Sequence, residues 1–156
     1  MCSSDLHLSG GSMMVEAVRD ALAEVESLKP RILGVSVLTS FDDLRWAEVS
    51  RAISGHGSDV DGAVGRLVDE FVPRGVDGVV CSAHELSRVR QFHPSLFTVV
   101  PGIRLERIEG DDQSRTMTPR QARDAGASAI VVGRPVTRAG SPRTVAEDIL
   151  RQIQGS

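Results

Sequence analysis

Short apolar runs alternate along this chain with longer segments in which apolar residues recur at helical spacing. The runs over 32–38, 76–81, 97–100 and 129–132 are rich in Val and Ile, which is typical of parallel strands covered on both faces. Residues 7–11 predict the end of one more strand, followed by a Gly-Gly turn. We therefore expect four complete strands and the tail of a fifth.

The segments between these runs predict amphipathic helices. The clearest covers 60–72, where the apolar side chains expected to face inward are Val60, Val64, Leu67, Val68 and Phe71. Further helices are expected over 13–28, 41–53, 85–92, 118–125 and from about 142 onward. Ser12 and Thr118 are predicted N-caps, with Pro119 at the first helical position. Asp42, Asp43, Asp59 and Asp61 also precede or open helical patterns, so helix capping explains them better than metal binding.

This alternation of strands and helices predicts an α/β fold with a parallel sheet and right-handed crossovers. A closed (β/α)8 barrel typically needs about 250 residues and at least about 200. The chain has 156 residues, which is too short for a complete barrel. We therefore expect a partial TIM (β/α)8 barrel.

Two neighbouring predicted strands each end in a Gly-containing step and an arginine. Arg104 closes the sequence Pro-Gly-Ile-Arg, and Arg134 follows Gly133 in Val-Val-Gly-Arg. A guanidinium binds a phosphate through two parallel hydrogen bonds, and a glycine beside it lets backbone N–H groups approach the same anion. Between them lies a polar segment that contains Asp111, Asp112, Gln113 and Arg115. The pattern predicts a site for a phosphorylated metabolite at the C-terminal face of the sheet.

The order of several short motifs in this sequence resembles that of the orotidine 5′-phosphate decarboxylase family. The matching segments are His-Leu-Ser-Gly-Gly (7–11), Val-Leu-Thr-Ser (37–40), Asp-Gly-Val-Val-Cys-Ser-Ala (77–83), Pro-Gly-Ile-Arg (101–104), Asp-Gln (112–113), Met-Thr-Pro (117–119) and Ile-Val-Val-Gly-Arg-Pro-Val-Thr (130–137). The resemblance covers essentially the whole chain from about Leu6. It places the chain from the end of barrel strand four through helix eight.

The resemblance also implies roles for five residues. Gly133 and Arg134 match the residues that bind the substrate phosphate, and Arg104 matches an arginine of the substrate site. Gln113 matches the glutamine of a loop that closes over the ligand, reaching the phosphate and the base. Thr39 matches the residue that contacts the amide edge of the pyrimidine. The implied ligands are orotidine 5′-phosphate and UMP, and the family needs no cofactor and no metal.

One part of the family's site has no match in this sequence. The family decarboxylates its substrate with an Asp-x-Lys-x-x-Asp array, in which the lysine protonates the carbanion-like carbon. The only lysine here is Lys29, which is preceded by Ser27 and Leu28 and followed by Pro30. We therefore assign no catalytic residue, and we expect the chain as it stands to be inactive.

The first six residues form a separate prediction. Met1–Leu6 can be back-translated to a string that resembles the end of a common sequencing adapter, so we expect 1–6 to be a non-native tail and 7–156 to be the half-barrel. The alternative is an ordinary polar N-terminal tail.

Composition restricts the partners. The net charge of −3 gives no reason to expect nucleic acid or an anionic membrane surface. Cys2 and Cys81 form no disulfide framework, and the sequence has no apolar run of about 18 residues and no signal-peptide pattern at its start, so a cytoplasmic location is expected. The resemblance implies that a full-length relative is a homodimer.

Two other functions remain open on the sequence. Related barrel enzymes that act on 3-keto-hexulose phosphates share the terminal phosphate site but use a metal. The Pro-Gly-Ile-Arg and Asp-Gln motifs favour the decarboxylase over these enzymes. A half-barrel could also bind a phosphorylated ligand without catalysis, or assemble with a partner half.

Overall fold

The chain folds around a five-stranded parallel sheet in the computed structural model, which describes residues 3–25, 30–105 and 115–155. The strands are β1 (Ser3–His7), β2 (Arg31–Val35), β3 (Gly78–Val80), β4 (Phe97–Val100) and β5 (Ala129–Ile130). Their order in the sheet is their order in the chain, and every neighbouring pair is parallel. A parallel sheet that grows by one strand at a time is the arrangement of a β/α barrel. The predicted five strands and their parallel pairing are confirmed.

Seven α-helices are described, and most of them connect successive strands. They are α1 (Ser12–Ala23), α2 (Asp43–Ser54), α3 (Val60–Phe71), α4 (Leu86–Phe92), α5 (Pro119–Asp124), α6 (Arg134–Thr137) and α7 (Pro142–Gln154). Short 3-10 turns at Leu8–Gly10 and Val72–Arg74 follow β1 and α3. The sequence did not predict α6, which begins directly at Arg134. None of the described helices is long and apolar enough to cross a membrane.

Several helices begin at a residue whose side chain caps the helix N-terminus, as the sequence around that residue favours. Asp42 and Asp59 accept hydrogen bonds from the backbone N–H groups three residues later, as N-caps of α2 and α3. Thr118 and Gln121 form a reciprocal capping box at α5. The prediction for Ser12 was wrong: Ser12 is already helical, and Gly11 precedes it without a side-chain cap. Gly11 adopts a φ of 84°, a backbone conformation that glycine allows at little cost.

The core forms two clusters of buried apolar side chains. The larger lies between the sheet and α3, α4 and α5, and its members include Val64, Val79, Leu86, Val100 and Ile103. The smaller lies between β1, α1 and the end of α3, and it is formed by Leu8, Val15, Ile32, Phe71 and Val76. The helix-facing side of the sheet is therefore covered, whereas in β4 the half-buried Phe97 and Val99 alternate with the buried Thr98 and Val100.

Three of the strands, β2, β3 and β5, are shorter than the apolar runs that predicted them, whereas β4 matches its run. The run over 32–38 forms a strand only over Arg31–Val35, and the run over 76–81 only over Gly78–Val80. Close packing of β3 against β4 constrains Gly78, because a Cβ at this position would lie 2.5 Å from the carbonyl oxygen of Phe97. Most residues that directly follow β3 and β4 are buried at the C-terminal edge of the sheet, where the candidate site lies.

Candidate functional site

Four of the five predicted site residues lie beyond the C-terminal ends of the strands. Thr39 follows β2, Arg104 follows β4, and Gly133 and Arg134 follow β5. Because the strands are parallel, these four residues share one edge of the sheet. Gln113 lies outside the described residues. The four residues that the structure describes thus follow strand ends on the same side of the sheet, and their convergence on one ligand stays a prediction.

Arg104 is a buried cation at this edge. Only 7% of the residue is exposed, and its Nη1 donates to the carbonyl of Ile103 at 2.9 Å. Its backbone N–H donates to the carbonyl of Met117 at 2.9 Å, beside an isolated parallel bridge between Ile103 and Met117. The end of β4 is thereby joined to the segment that leads into α5. A buried guanidinium is costly unless its N–H groups are bound.

Gly133 and Arg134 form the turn between β5 and α6. Gly133 is exposed, and its carbonyl accepts the N–H groups of Val136 and Thr137 at 3.0 Å each. Among the described residues, no atom lies within 4 Å of a Cβ built at Gly133, so the backbone there is open to approach. Arg134 is half-buried at the first position of α6.

The sequence did not identify the ion pair that Glu85 and Arg115 form in the same region. Their side chains are 3% and 12% exposed, and Arg115 Nη1 donates to Glu85 Oε1. Arg115 Nη2 donates to the carbonyl of Leu38 at 3.0 Å. Glu85 Oε2 accepts the backbone N–H of Ser82 at 2.9 Å and its hydroxyl at 2.6 Å. The sequence carries no clear signal for the pair, because Glu85 is surrounded by the polar residues Ser82, His84, Ser87 and Arg88.

Cys81 lies beside this pair, and its thiol is expected to be unreactive. It is fully buried, and burial raises the pKa of its thiol to about 12, with the Glu85 charge contributing in the same direction. A thiol in this state stays protonated at neutral pH and is a poor nucleophile. Cys81 packs as a small hydrophobic residue in the larger core cluster.

An apolar cavity of about 660 Å³ opens next to the end of β2. It lies between α2 and α3 and the strand ends, and its lining includes Val37, Leu38, Phe41 and Trp46. His7 also lines it. Over 3–25, 30–105 and 115–155, no group of three or more His, Cys, Asp or Glu side chains is placed to hold a metal ion.

Comparison with known proteins gives a consistent set of matches. The sequence model of the orotidine 5′-phosphate decarboxylase / HUMPS family matches residues 4–149. The orotidine 5′-phosphate decarboxylase of Pseudomonas entomophila is 40% identical over 153 residues, which cover 97% of this chain and 63% of that protein. That of Pseudomonas fluorescens (strain SBW25) is 39% identical over 151 residues, 96% of this chain and 62% of that protein.

Solved structures of the same enzyme share the fold. The orotidine 5′-phosphate decarboxylase of Lactobacillus acidophilus superposes with a TM-score of 0.78 at 30% identity, covering 98% of this chain and 63% of that one. The enzyme from Sulfolobus solfataricus superposes with a TM-score of 0.64 at 18% identity, covering 98% and 61%, and supports the fold alone. The chain thus spans about 63% of the length of the curated relatives that it matches. The predicted partial barrel is confirmed.

Proposed function

We propose that this chain, which belongs to the orotidine 5′-phosphate decarboxylase / HUMPS family, carries the phosphate- and pyrimidine-binding part of an orotidine 5′-phosphate decarboxylase. The whole enzyme converts orotidine 5′-phosphate to UMP and carbon dioxide, and so acts as a carboxy-lyase in pyrimidine biosynthesis. The observation that carries the proposal is the shared edge of the sheet, where Arg104, Gly133 and Arg134 follow two adjacent parallel strands.

In this proposal the phosphate lies against the turn after β5. Arg134 supplies charge-assisted hydrogen bonds, and the exposed backbone of Gly133 leaves room for the anion to approach. Arg104 adds a second positive charge from the neighbouring strand end. A dianionic phosphate is expected to prefer an edge that carries two guanidinium groups over an uncharged one.

The pyrimidine is assigned to Thr39 and Gln113. The hydroxyl of Thr39 can both donate and accept, as the amide edge of a pyrimidine requires. Thr39 follows β2, on the same edge of the sheet as the arginines. Gln113 keeps the role that the resemblance implies, between the phosphate and the base. Neither role needs a cofactor or a metal.

The chemical step needs a group that this chain does not contain at a matching position. Decarboxylation leaves negative charge on a ring carbon, and an ammonium both stabilises that charge and supplies the proton. Lys29, the single lysine, is not part of an Asp-x-Lys-x-x-Asp sequence. We infer that the 156-residue chain by itself binds the ligand without turning it over.

Four further properties are proposed with this function: the oligomeric state, the location, the partners and the origin of residues 1–6. A full-length relative is expected to be a homodimer in the cytoplasm, with orotidine 5′-phosphate and UMP as its small-molecule partners and with neither nucleic acid nor a membrane. Residues 1–6 remain a predicted non-native tail, although 3–7 form β1 in the structure. Sequencing of the genomic DNA upstream of His7 tests this last point: an in-frame Asp-x-Lys-x-x-Asp would support a cut enzyme, and a genuine promoter and start codon near Met1 would support a native tail and a binding module without catalysis.

Binding and turnover measured on one preparation test the proposed function. UMP is titrated into the 156-residue chain by calorimetry, alongside Arg134→Ala and the control Arg143→Ala, since Arg143 is an exposed residue of α7 that pairs with Glu147. We expect binding by the chain and the control, and binding at least about tenfold weaker in Arg134→Ala. Equal affinities in all three would remove Arg134 from the phosphate site.

Turnover is measured as the loss of orotidine 5′-phosphate against a blank without protein. We expect none. Turnover that Lys29→Ala abolishes would show that Lys29 is a catalytic residue and would overturn the inferred division of the site.

A further inference from the structure

Glu85 and Arg115 place two opposite charges in an environment that is almost excluded from solvent, at the C-terminal edge of the sheet. Their side chains are 3% and 12% exposed, and the two residues are thirty positions apart. The transfer of both charges out of water costs several kcal/mol, and mutual attraction offsets this cost only with good geometry and additional hydrogen bonds. Apolar residues of similar volume often give equal or greater stability at such a place. Fold stability alone is therefore a weak reason for the pair.

The carboxylate is fixed from the side of β3. One oxygen of Glu85 binds both the backbone N–H and the hydroxyl of Ser82, at 2.9 Å and 2.6 Å. The other oxygen receives Nη1 of Arg115, and this same nitrogen lies 3.3 Å from the hydroxyl of Ser82. Both carboxylate oxygens are thus bound, and the guanidinium has a defined orientation.

The other arm of the guanidinium reaches the end of β2. Nη2 of Arg115 donates to the carbonyl of Leu38 at 3.0 Å, and the N–H of Phe41 donates to the same oxygen at 3.0 Å. Leu38 directly precedes Thr39, the proposed pyrimidine contact. The peptide group between Leu38 and Thr39 includes this carbonyl, so its orientation sets the position of Thr39.

The backbone of the same segment reaches the end of β4. Two residues after Arg115, the carbonyl of Met117 accepts the backbone N–H of Arg104 at 2.9 Å, and Met117 forms the isolated bridge with Ile103. Residues 115–117 therefore contact both Leu38, beside Thr39, and Arg104. These two site residues follow β2 and β4, which β3 separates in the sheet.

We propose that Arg115 is a positioning residue, held by Glu85, that fixes Thr39 relative to Arg104 and so sets the distance between the pyrimidine and phosphate contacts. The proposal rests on the proposed function for the identity of the ligand. The geometry of the pair stands independently of it. Arg115 acts through Leu38 and Met117 and does not itself touch the ligand.

The test uses four variants of the 156-residue chain and one control. Arg115→Met removes the charge and its hydrogen bonds while keeping an apolar stem, and Arg115→Lys keeps the charge but loses the planar fork. Glu85→Gln keeps an acceptor for Ser82, and the fourth variant combines Glu85→Gln with Arg115→Met. The control is Arg123→Met, because Arg123 also donates to backbone carbonyls, of Gln152 and Ile153, but lies on α5 next to α7.

Three quantities are measured for each protein: the thermal midpoint, the Kd for UMP, and the hydrogen-exchange rates of the Thr39 and Arg104 amides. Arg115→Met leaves a buried carboxylate without its counter-charge and is expected to lower the midpoint. The double variant removes both charges and is expected to recover most of the midpoint. UMP binding in the double variant is nevertheless expected to be about tenfold weaker than in the parent chain, with both amides exchanging faster.

Arg115→Lys is expected to restore binding only in part, because one ammonium cannot reproduce both arms of the guanidinium. Arg123→Met is expected to change the midpoint without changing the affinity or either amide. A double variant with parental affinity and parental exchange at Thr39 and Arg104 would overturn the proposal.

Failure of the proposed function has a different signature. If the parent chain does not bind UMP, the ligand assignment falls, and the amide exchange rates alone decide the inference. Faster exchange at Thr39 in Arg115→Met and in the double variant, with none in Arg123→Met, would then support positioning by Arg115. Unchanged exchange would refute it.

Discussion

Arg90 binds the carbonyl oxygen of Gly126 with two N–H groups, Nε at 2.9 Å and Nη2 at 2.6 Å. The same guanidinium donates to the carbonyls of Pro94 and Leu96 at 3.1 Å and 2.7 Å and to the hydroxyl of Thr98 at 2.7 Å. One side chain of α4 thus satisfies backbone groups that precede both β4 and β5. Arg90 organises the N-terminal end of these strands, opposite the edge that carries Arg104 and Arg134.

Replacement of Arg90 by Met is expected to destabilise the fold strongly. Several acceptors would lose their donor together, and each buried unsatisfied polar group costs about 1–3 kcal/mol, so the free energy of unfolding is expected to fall by roughly 2–3 kcal/mol. Urea unfolding followed by circular dichroism measures the change. Arg143→Met is the matched control, because its partner Glu147 is an exposed residue one helical turn away and such pairs contribute about 0–1 kcal/mol. Similar losses in the two variants would contradict this role for Arg90.

Asp59 makes the start of α3 sensitive to pH. Its carboxylate accepts the backbone N–H of Gly62 at 2.6 Å, and this hydrogen bond lowers the pKa of Asp59 below its ordinary value of 3.8. A lowered folded-state pKa stabilises the fold above the ordinary pKa, and this contribution is lost as the pH falls through the folded value. Asp59→Ala is expected to cost about 1 kcal/mol at neutral pH and less at about pH 3.

The comparison needs Asp59→Asn as well, which keeps an acceptor without a titrating charge. Its effect on the urea midpoint is expected to vary less with pH than that of Asp59→Ala. An Asp59→Ala deficit of the same size at both pH values would show that the ionised cap is not the cause.

The thiol of Cys81 is expected to resist alkylation while the chain is folded. Burial raises its pKa to about 12, so almost no thiolate is present at about pH 8. Iodoacetamide labelling followed by peptide mass spectrometry should modify the Cys81 peptide at least about tenfold more slowly in buffer than in denaturant. Equal labelling rates in both conditions would show that the core around Glu85 is open.

A chimera joins the binding edge to the catalytic array. The part of the Pseudomonas entomophila enzyme that precedes the position aligned with His7 is fused directly before His7, so that the relative supplies the strands before β1 and the residues of β1 up to His7. We expect decarboxylase activity to return, because the phosphate site and the lysine array then share one pocket. Arg134→Ala in the chimera is expected to reduce kcat/KM by about ten- to a hundred-fold, since a charged hydrogen bond contributes about 1.5–3 kcal/mol.

Part of that loss is expected in kcat, because binding energy from a non-reacting phosphate can be used in the transition state. Steady-state kinetics on orotidine 5′-phosphate measures both constants. Equal kcat/KM values for the chimera and its Arg134→Ala variant would require the phosphate assignment to be withdrawn.

The sequence by itself determined the elements, their type and the edge at which chemistry is proposed. Apolar runs and helical periodicity are local properties, so the parallel sheet and the helices, apart from α6, followed from them. Caps are equally local: Asp42, Asp59 and Thr118 bind N–H groups three residues away. The placement of Arg104 and Arg134 at one edge also followed, because parallel strands bring their C-terminal ends to the same side.

Only the tertiary structure decided the strand limits and the partners of the buried charges. A strand ends where its neighbour stops pairing, so the apolar run over 32–38 is a strand only to Val35. The Glu85–Arg115 pair joins residues thirty positions apart, and Arg90 reaches Gly126 thirty-six positions away. No local pattern specifies such partners, because they depend on which strand ends become neighbours when the chain is folded.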